Sequence, residues 1–385
     1  MIGEINEPIR VAQMMTEMNY GGVEMVVMNY YRHIDRSKIQ FDFFVLEGSE
    51  IPQREEIESM GGRIYVVPHY KHLVQYEKTL IRLFKENRYK IVHSHMNSLS
   101  VFSLRAAKKA GVPVRIAHNH STAGKGEYKK NIIKYMLRPF AKVYPTDLFA
   151  CSHLAGDWLY GKNANYTVFN NAIELDKFAY NEQVREKIRK QYHIENKYVL
   201  GHVGRFCYQK NHDFLIDIFE KVYEKEKDAV LLLIGEGELE DQIKAKVHRL
   251  GLDESVIFAG TCNNVNEMYQ AMDVFVFPSR YEGLGMVAIE AQAASLPVIC
   301  STNVPNEAKV LEDTVFENTL DEYVNDILRK LKTERYDTVE SIRKAGFDIE
   351  KEADILMQNY FKYNEIQNYK DLSYNTKCIG ASTNN

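Results

Sequence analysis

Short runs of β-branched and aromatic residues alternate along this chain with longer stretches whose apolar positions recur at helical spacing. In the first half the pattern predicts strands at Arg10–Met14, Phe41–Leu46, Arg63–Val67, Lys90–His93, Val114–Ala117, Leu148–Cys151 and Thr167–Asn170. Helical periodicity fills the gaps at Gly22–Ile34, Leu73–Asn87, Leu99–Ala110 and Tyr128–Leu137. The alternation restarts with strands at Tyr198–Val203, Val230–Ile234, Val256–Ala259, Val274–Phe277 and Pro297–Cys300. Helices are predicted between these at His212–Glu226, Leu239–Leu250, Asn264–Ala271 and Met286–Ala294. Near-continuous apolar strands separated by helices imply parallel sheets covered on both faces. Two such runs imply an α/β chain of two doubly wound, Rossmann-like domains. The charged stretch Asp176–Lys197 reads as the boundary, giving domains at 1–176 and 177–349. A closing helix at 350–363 is expected to pack back on the first domain, and the polar residues 364–385 to form a frayed tail.

Composition narrows the class without changing that picture. With 45% hydrophobic and 26% charged residues, the chain of 385 has the makeup of a soluble globular protein. No run approaches the roughly 20 apolar residues that span a bilayer. The acidic start, Met1-Ile-Gly-Glu-Ile-Asn-Glu, does not read as a secretory signal. Five scattered cysteines with no Cys-x-x-Cys pair read as reduced thiols, which suits a cytoplasmic protein. A net charge of −4 argues against a nucleic-acid binder. The halves differ in sign, however. Residues 1–176 hold 23 Lys and Arg against 18 Asp and Glu, and the remainder 26 against 35, so the two domains suit different partners.

Ligands of doubly wound domains bind at the carboxyl ends of the strands, so candidate chemistry is sought at the strand-to-helix junctions. The most informative is Pro278-Ser-Arg-Tyr-Glu-Gly-Leu-Gly-Met-Val-Ala-Ile-Glu290, which follows an apolar strand and opens a helix. Gly283 and Gly285, flanking Leu284, allow a ligand close to the backbone, and the amides near Met286 and Val287 can hold a phosphate. Glu282 and Glu290 would repel phosphate but suit the hydroxyls of a ribose or sugar; the alternative is a capping acid and a solvent-facing helical glutamate. In Gly201-His-Val-Gly-Arg-Phe-Cys-Tyr-Gln-Lys-Asn211, Arg205 and Lys210 are either cations converging on a diphosphate or ordinary surface charges. Tyr20-Gly-Gly-Val-Glu24, with Gly21 and Gly22 ahead of a helix, offers a second amide nest, and Gly235-Glu-Gly237 another close-approach loop.

Histidines gather at strand ends: His93 and His95, then His118 and His120 in Ala117-His-Asn-His-Ser-Thr122. A His-x-His pair can bind a metal, but the sequence shows no third ligand at suitable spacing, so contact with a base or sugar is the better expectation. No Asp-x-Asp occurs, so cationic side chains and amides are expected to neutralise the phosphates without a metal. Lys130, Lys134, Arg138 and Lys142 recur every four residues, with Ile132, Ile133, Met136 and Phe140 on other faces. The stripe reads either as a surface for anionic lipid at the inner face of the membrane or as a solvated helix face.

Taken in order, these junctions resemble the GT-B glycosyltransferases of the retaining family four type, near the capsular and exopolysaccharide branch. The resemblance covers nearly the whole chain. It rests on Gly21-Gly22, Phe169-Asn-Asn-Ala-Ile-Glu-Leu-Asp-Lys-Phe178, Arg205 with Lys210, Gly235-Glu-Gly237, Phe258-Ala-Gly-Thr261 and the Glu-x7-Glu span from Glu282 to Glu290. It implies two domains facing a central cleft, the first binding acceptor and the second a nucleotide-sugar donor. Arg205 and Lys210 would grip the donor diphosphate, assisted by amides around Gly22 and Gly285–Val287. Glu282 would contact the donor sugar and Glu290 the ribose, and the loop of Gly260 and Thr261 the base. His120, or failing that His118, would face the donor sugar. The sequence departs from the family by reading His-Asn-His in place of a single His, and Asn-Asn-Ala where relatives often carry Asn-Gly. The implied activity is metal-independent, retaining transfer from a nucleotide-diphosphate sugar, most simply UDP-linked, to a glycan or lipid-linked acceptor, with no cofactor. The competing readings are a nucleotide-sugar epimerase, a phosphorylase, or a non-catalytic nucleotide-sugar-binding subunit of a polysaccharide assembly complex.

Overall fold

The structure is a computed structural model that describes residues 7–19, 22–122, 128–262 and 264–380, with the side chains of 128–130 and 366–380 excepted. The chain divides into two compact units, one formed by residues up to Ser121 with Lys129–Ala172 and the chain from Ile349, the other chiefly by Ile173–Asp348.

The first unit holds a seven-stranded sheet: β1 (Ile9–Met14), β2 (Ile39–Leu46), β3 (Arg63–Val67), β4 (Ile91–Ser94), β5 (Val114–Asn119), β6 (Asp147–Ala150) and β7 (Thr167–Val168). Their spatial order is β3-β2-β1-β4-β5-β6-β7. The second unit holds β8 (Tyr198–Val203), β9 (Ala229–Ile234), β10 (Val256–Phe258), β11 (Val274–Phe277), β12 (Val298–Ser301) and β13 (Thr314–Glu317), in the order β10-β9-β8-β11-β12-β13. Every named strand pair is parallel. All eight residues of β2 and all six of β9 are buried, as expected of strands covered on both faces. Strand order reverses between β1 and β4 in one sheet and between β8 and β11 in the other. Such a reversal opens a crevice at the carboxyl ends, where ligands of this architecture bind.

The structure adds two elements that the pattern did not mark and corrects one expectation. The charged stretch 176–197, read as the boundary, contains a helix, Glu182–Gln191. Its other charges face outward, while Arg185 and the buried Arg189 both bind Asp273, at 2.5 and 2.6 Å, fastening it to the second unit. Strand β13 is short and only its first residue is fully buried, so no apolar run betrays it. The last helix runs from Ile349 to Gly380, past residue 364 where a frayed tail was expected. No Gly or Pro interrupts it before Gly380, so nothing in the sequence breaks the backbone pattern. Among the described residues no helix is long and apolar enough to cross a membrane.

Candidate active site

In the second unit, four loops at the carboxyl ends of β8, β9, β10 and β11 are stitched together by backbone hydrogen bonds. Gly204 N donates to Ile234 O, and Phe206 N to Glu236 O at 3.0 Å. Gly235 N donates to Gly260 O, and Arg280 N to Gln209 O at 2.8 Å. Gly235 has φ of +131°, and a Cβ there would sit 2.3 Å from Gly204 O. Only glycine fits this seam. Gly285, at φ +90°, turns the chain into the helix Met286–Ala293, whose first amides, those of Met286 and Val287, open at the reversal point while Ala288 N is taken by Gly285 O.

Side chains complete the seam. Lys210 Nζ donates to Glu282 Oε1 at 2.8 Å, and Gln209 Nε2 to Glu282 Oε2 at 3.1 Å. Both partners are mostly shielded from solvent, at 17% and 8% exposure, and Lys210 lies 4.8 Å over the Phe277 ring. Asn211 Nδ2 donates to Pro278 O, tying the same two loops again. Glu290 accepts from Tyr269 Oη at 2.8 Å. Burial pushes the Glu290 carboxyl above the usual range, while the Tyr269 hydrogen bond and the Lys210 charge act against that rise. Arg205 stands apart from this group: it is 72% exposed and pairs with Glu238 at 3.1 Å. Thr261 Oγ1 reaches Glu236 Oε1 at 3.5 Å. Leu284 is buried, and Met286 and Val287 are half-buried in the first turn of the helix. The structure thus brings Lys210, Glu282 and Glu290 together and leaves Arg205 on the open edge of the same loop.

The first unit carries a second constellation, beside its own reversal point. On a strand, residues i and i+2 share a face, and neighbouring strands lie about 4.8 Å apart. The two His-x-His motifs follow this geometry: His93 lies on β4 with His95 just past its end, and His118 lies on β5 with His120 just past its end, Ser94 being in register with Ala117. Ring centroids of His118 and His120 are 4.0 Å apart and those of His93 and His95 4.3 Å. His93 Nε2 shares a hydrogen bond of 3.2 Å with His118 Nδ1, and His95 Nδ1 one of 2.9 Å with His120 Nε2. His93 Nδ1 meets Tyr360 Oη at 2.7 Å, and His95 Nε2 meets Gln13 Oε1 at 2.9 Å. With Tyr30 and Phe169 they line a cavity of about 20 Å³, room for about one water. Burial drives all four imidazoles below the usual histidine range, His93 to about 3 and His120 to about 4. Repulsion among the rings lowers His93, His95 and His118 further, and the neighbouring Asn171 side chain opposes the shift at His120. The cluster is therefore neutral at physiological pH.

Nitrogens of His93, His95 and His118 lie within 4.8 Å of one another, a spacing that a metal ion could bridge. The third donor that the sequence did not show comes from the neighbouring strand. Both nitrogens of His93 and of His95, and Nδ1 of His118, are nevertheless already engaged with each other, with His120 and with Tyr360 and Gln13; His118 Nε2 alone of this trio has no partner among the described residues. Gly21 lies outside the described residues; Gly22 is the exposed first residue of the helix Gly22–His33. Sequence reasoning missed Gln13, Tyr360, Gln209 and Tyr269. Only Gln13 left a signal, as a polar residue fully buried inside an otherwise apolar strand end.

The surface helix Tyr128–Leu137 and the turn Arg138–Phe140 carry apolar side chains into solvent rather than into the core: Ile132, Met136 and Phe140 are 60%, 68% and 51% exposed. Lys134 and Arg138 lie on the same segment, with Arg138 5.8 Å over the Trp158 ring. The side chain of Lys130 lies outside the described residues.

A family model for Glycosyltransferase Family 4 matches residues 20–177, and one for glycosyl transferases group 1 matches residues 184–347. EpsF of Bacillus subtilis, a protein assigned to the glycosyltransferases, is 35% identical over 305 residues, covering 77% of this chain and 79% of its own. The chain belongs to the family 4 glycosyltransferases. Another relative in this family, the capsular polysaccharide biosynthesis glycosyltransferase CapH of Staphylococcus aureus, is 26% identical over 80% of this chain and 86% of its own. Among solved structures, Anabaena Alr3699/HepE in complex with UDP superposes with a TM-score of 0.71 at 16% identity, covering 95% of this chain and all of that one. That likeness establishes the GT-B type of fold for this glycosyltransferase.

Proposed function

We propose that this glycosyltransferase moves a sugar from a UDP-sugar to a glycan or lipid-linked acceptor of capsular or exopolysaccharide synthesis, with retention of anomeric configuration and without a metal ion. The observation that carries the reading is the Lys210 ammonium, held at 2.8 Å on Glu282 beside the strand reversal and at the mouth of the Met286 helix. Breaking the anomeric C–O bond leaves negative charge on the departing diphosphate. Lys210, Arg205 and the helix amides are fixed positive groups suited to that charge, and losing one such donor in comparable sites costs about 2.7–4 kcal/mol. Glu282 exchanges its contact with Lys210 for a donor sugar hydroxyl, and Glu290, held by Tyr269, receives the ribose. His120, or failing that His118, is the neutral imidazole assigned to the donor sugar.

UDP is the bound nucleotide named for the HepE structure, and capsular synthesis is the role named for CapH. Both support the choice of donor and pathway class. The exposed Ile132, Met136 and Phe140 beside Lys134 and Arg138 support peripheral contact with anionic membrane, where a lipid-linked acceptor resides.

Thermal-shift screening against UDP, GDP, ADP and their sugars, with and without EDTA, tests the donor assignment, because a ligand of the folded state raises apparent stability. The expected result is a UDP-sugar shift that EDTA leaves intact. A shift that EDTA abolishes, or none with any UDP compound, contradicts the proposal.

A further inference from the structure

The four histidines form two hydrogen-bonded arms that meet at one amide. In the first arm Gln13 Nε2 donates to Tyr360 Oη at 3.3 Å, Tyr360 contacts His93 Nδ1, and His93 Nε2 contacts His118 Nδ1. In the second, Gln13 Oε1 contacts His95 Nε2, and His95 Nδ1 contacts His120 Nε2. Each neutral imidazole has one N–H and one acceptor nitrogen, so a bond at one nitrogen dictates the state of the other.

The proton positions follow in order. Because Tyr360 Oη receives the Gln13 N–H, its own proton goes to His93 Nδ1. His93 then carries its proton on Nε2 and donates to His118 Nδ1, which leaves His118 with Nε2–H. In the other arm the Gln13 carbonyl can only accept, so His95 carries Nε2–H and its Nδ1 receives a proton from His120 Nε2. All four rings are thereby Nε2–H tautomers. Turning the Gln13 amide over reverses every step and makes all four Nδ1–H. Mixed states would leave two lone pairs or two protons facing each other, or strand the Tyr360 hydroxyl proton with no acceptor while its oxygen accepts from both Gln13 and His93, and either costs the desolvation of an unmade hydrogen bond in a buried network.

We infer that Gln13 is a positioning residue: its one amide holds His93, His95, His118 and His120 in a single shared tautomer, so that His118 Nε2 and His120 Nδ1 always present one N–H and one lone pair. His118 Nε2 has no partner among the described residues, although the ring is only 4% exposed. A donor and an acceptor on adjacent stacked rings match a hydroxyl group, which both gives and takes a hydrogen bond. Use of the pair on a sugar hydroxyl rests on the glycosyl-transfer reading; the proton order does not.

Nitrogen-15 NMR of the full chain, labelled at histidine and recorded near pH 7.5 in EDTA, reads each tautomer directly. The expected spectrum shows all four cluster rings in the same tautomer; a mixture overturns the inference. Gln13→Glu replaces the amide with a group that only accepts. It keeps His95 and His120 as Nε2–H but makes Tyr360 donate to the carboxylate, so His93 and His118 convert to Nδ1–H. Tyr360→Phe, which keeps the packed ring, should release His93 and His118 to tautomer averaging and leave His95 and His120 fixed. Unchanged tautomers in both variants, or all four rings moving together in Tyr360→Phe, overturn the inference. Absence of turnover with every sugar donor would defeat the functional reading while leaving these resonances as described.

Discussion

Lys210 and Glu282 join the loop after β8 to the loop after β11 through a contact of 2.8 Å, at the point where the second sheet reverses its strand order. Neither loop has regular structure of its own at this point. Their shape depends on this pair and on the hydrogen bonds from Arg280 N and Asn211 Nδ2 beside it. A cation held there costs little further ordering when a diphosphate arrives, which is the condition for electrostatic stabilisation to act on the leaving group.

Arg205 and Lys210 should behave differently when removed. Arg205 is exposed and, among the described residues, its side chain pairs with Glu238 alone, so Arg205→Ala should leave the melting temperature within about 1 °C while raising the KM for donor, given the small value of surface pairs. A marked fall in melting temperature with an unchanged KM would contradict the assignment.

Gly235→Ala should weaken the loop seam. The new Cβ meets Gly204 O at 2.3 Å in a backbone of φ +131°, a strain of about 1–3 kcal/mol. Denaturant melts should record that loss, and the stabilisation by donor nucleotide should shrink with it. Stability equal to wild type would show that the loops rearrange freely.

Six histidines should make the protein acid-sensitive. Burial lowers His93 to about 3, His120 and His202 to about 4 and His212 to about 2, and holds His95 and His118 well down. The unfolded chain takes up protons near pH 6.5 while the folded rings stay neutral. The stability these rings carry is therefore complete above about pH 6.5 and is lost as pH falls toward their folded values, at up to about 1.4 kcal/mol per pH unit for each ring. Melts between pH 7.5 and 4.5 should show a steep decline beginning near 6.5. A flat profile down to pH 5 would contradict the buried, neutral cluster.

Changing Lys134 and Arg138 to Glu should abolish sedimentation of the full chain with anionic liposomes. Opposite charges at a surface that also exposes Met136 and Phe140 would oppose anionic headgroups. Unchanged binding would identify this segment as an ordinary solvated face.

The two parallel sheets were legible in the sequence because short apolar runs such as Val230–Ile234 are apolar on both faces and need no partner to be recognised. The junction loops were legible for a similar reason: glycines and charges cluster where strands end. Contacts that depend on strand order were not. Nothing local says that β4 lies beside β5, so two His-x-His pairs read as separate motifs rather than one four-ring network. Tyr360 joins that network from 267 residues beyond His93. The helix Glu182–Gln191 was hidden by its own charges, since only Ile188 and Arg189 are buried along it.

Turnover of Lys210→Ala tests the central claim most directly. With a UDP-sugar and a lipid-linked acceptor in EDTA, the wild-type chain should release nucleoside diphosphate and form a product of unchanged anomeric configuration. The Lys210→Ala chain, confirmed as folded by its melt, should do so about 100-fold more slowly. Wild-type turnover from that variant would contradict the account.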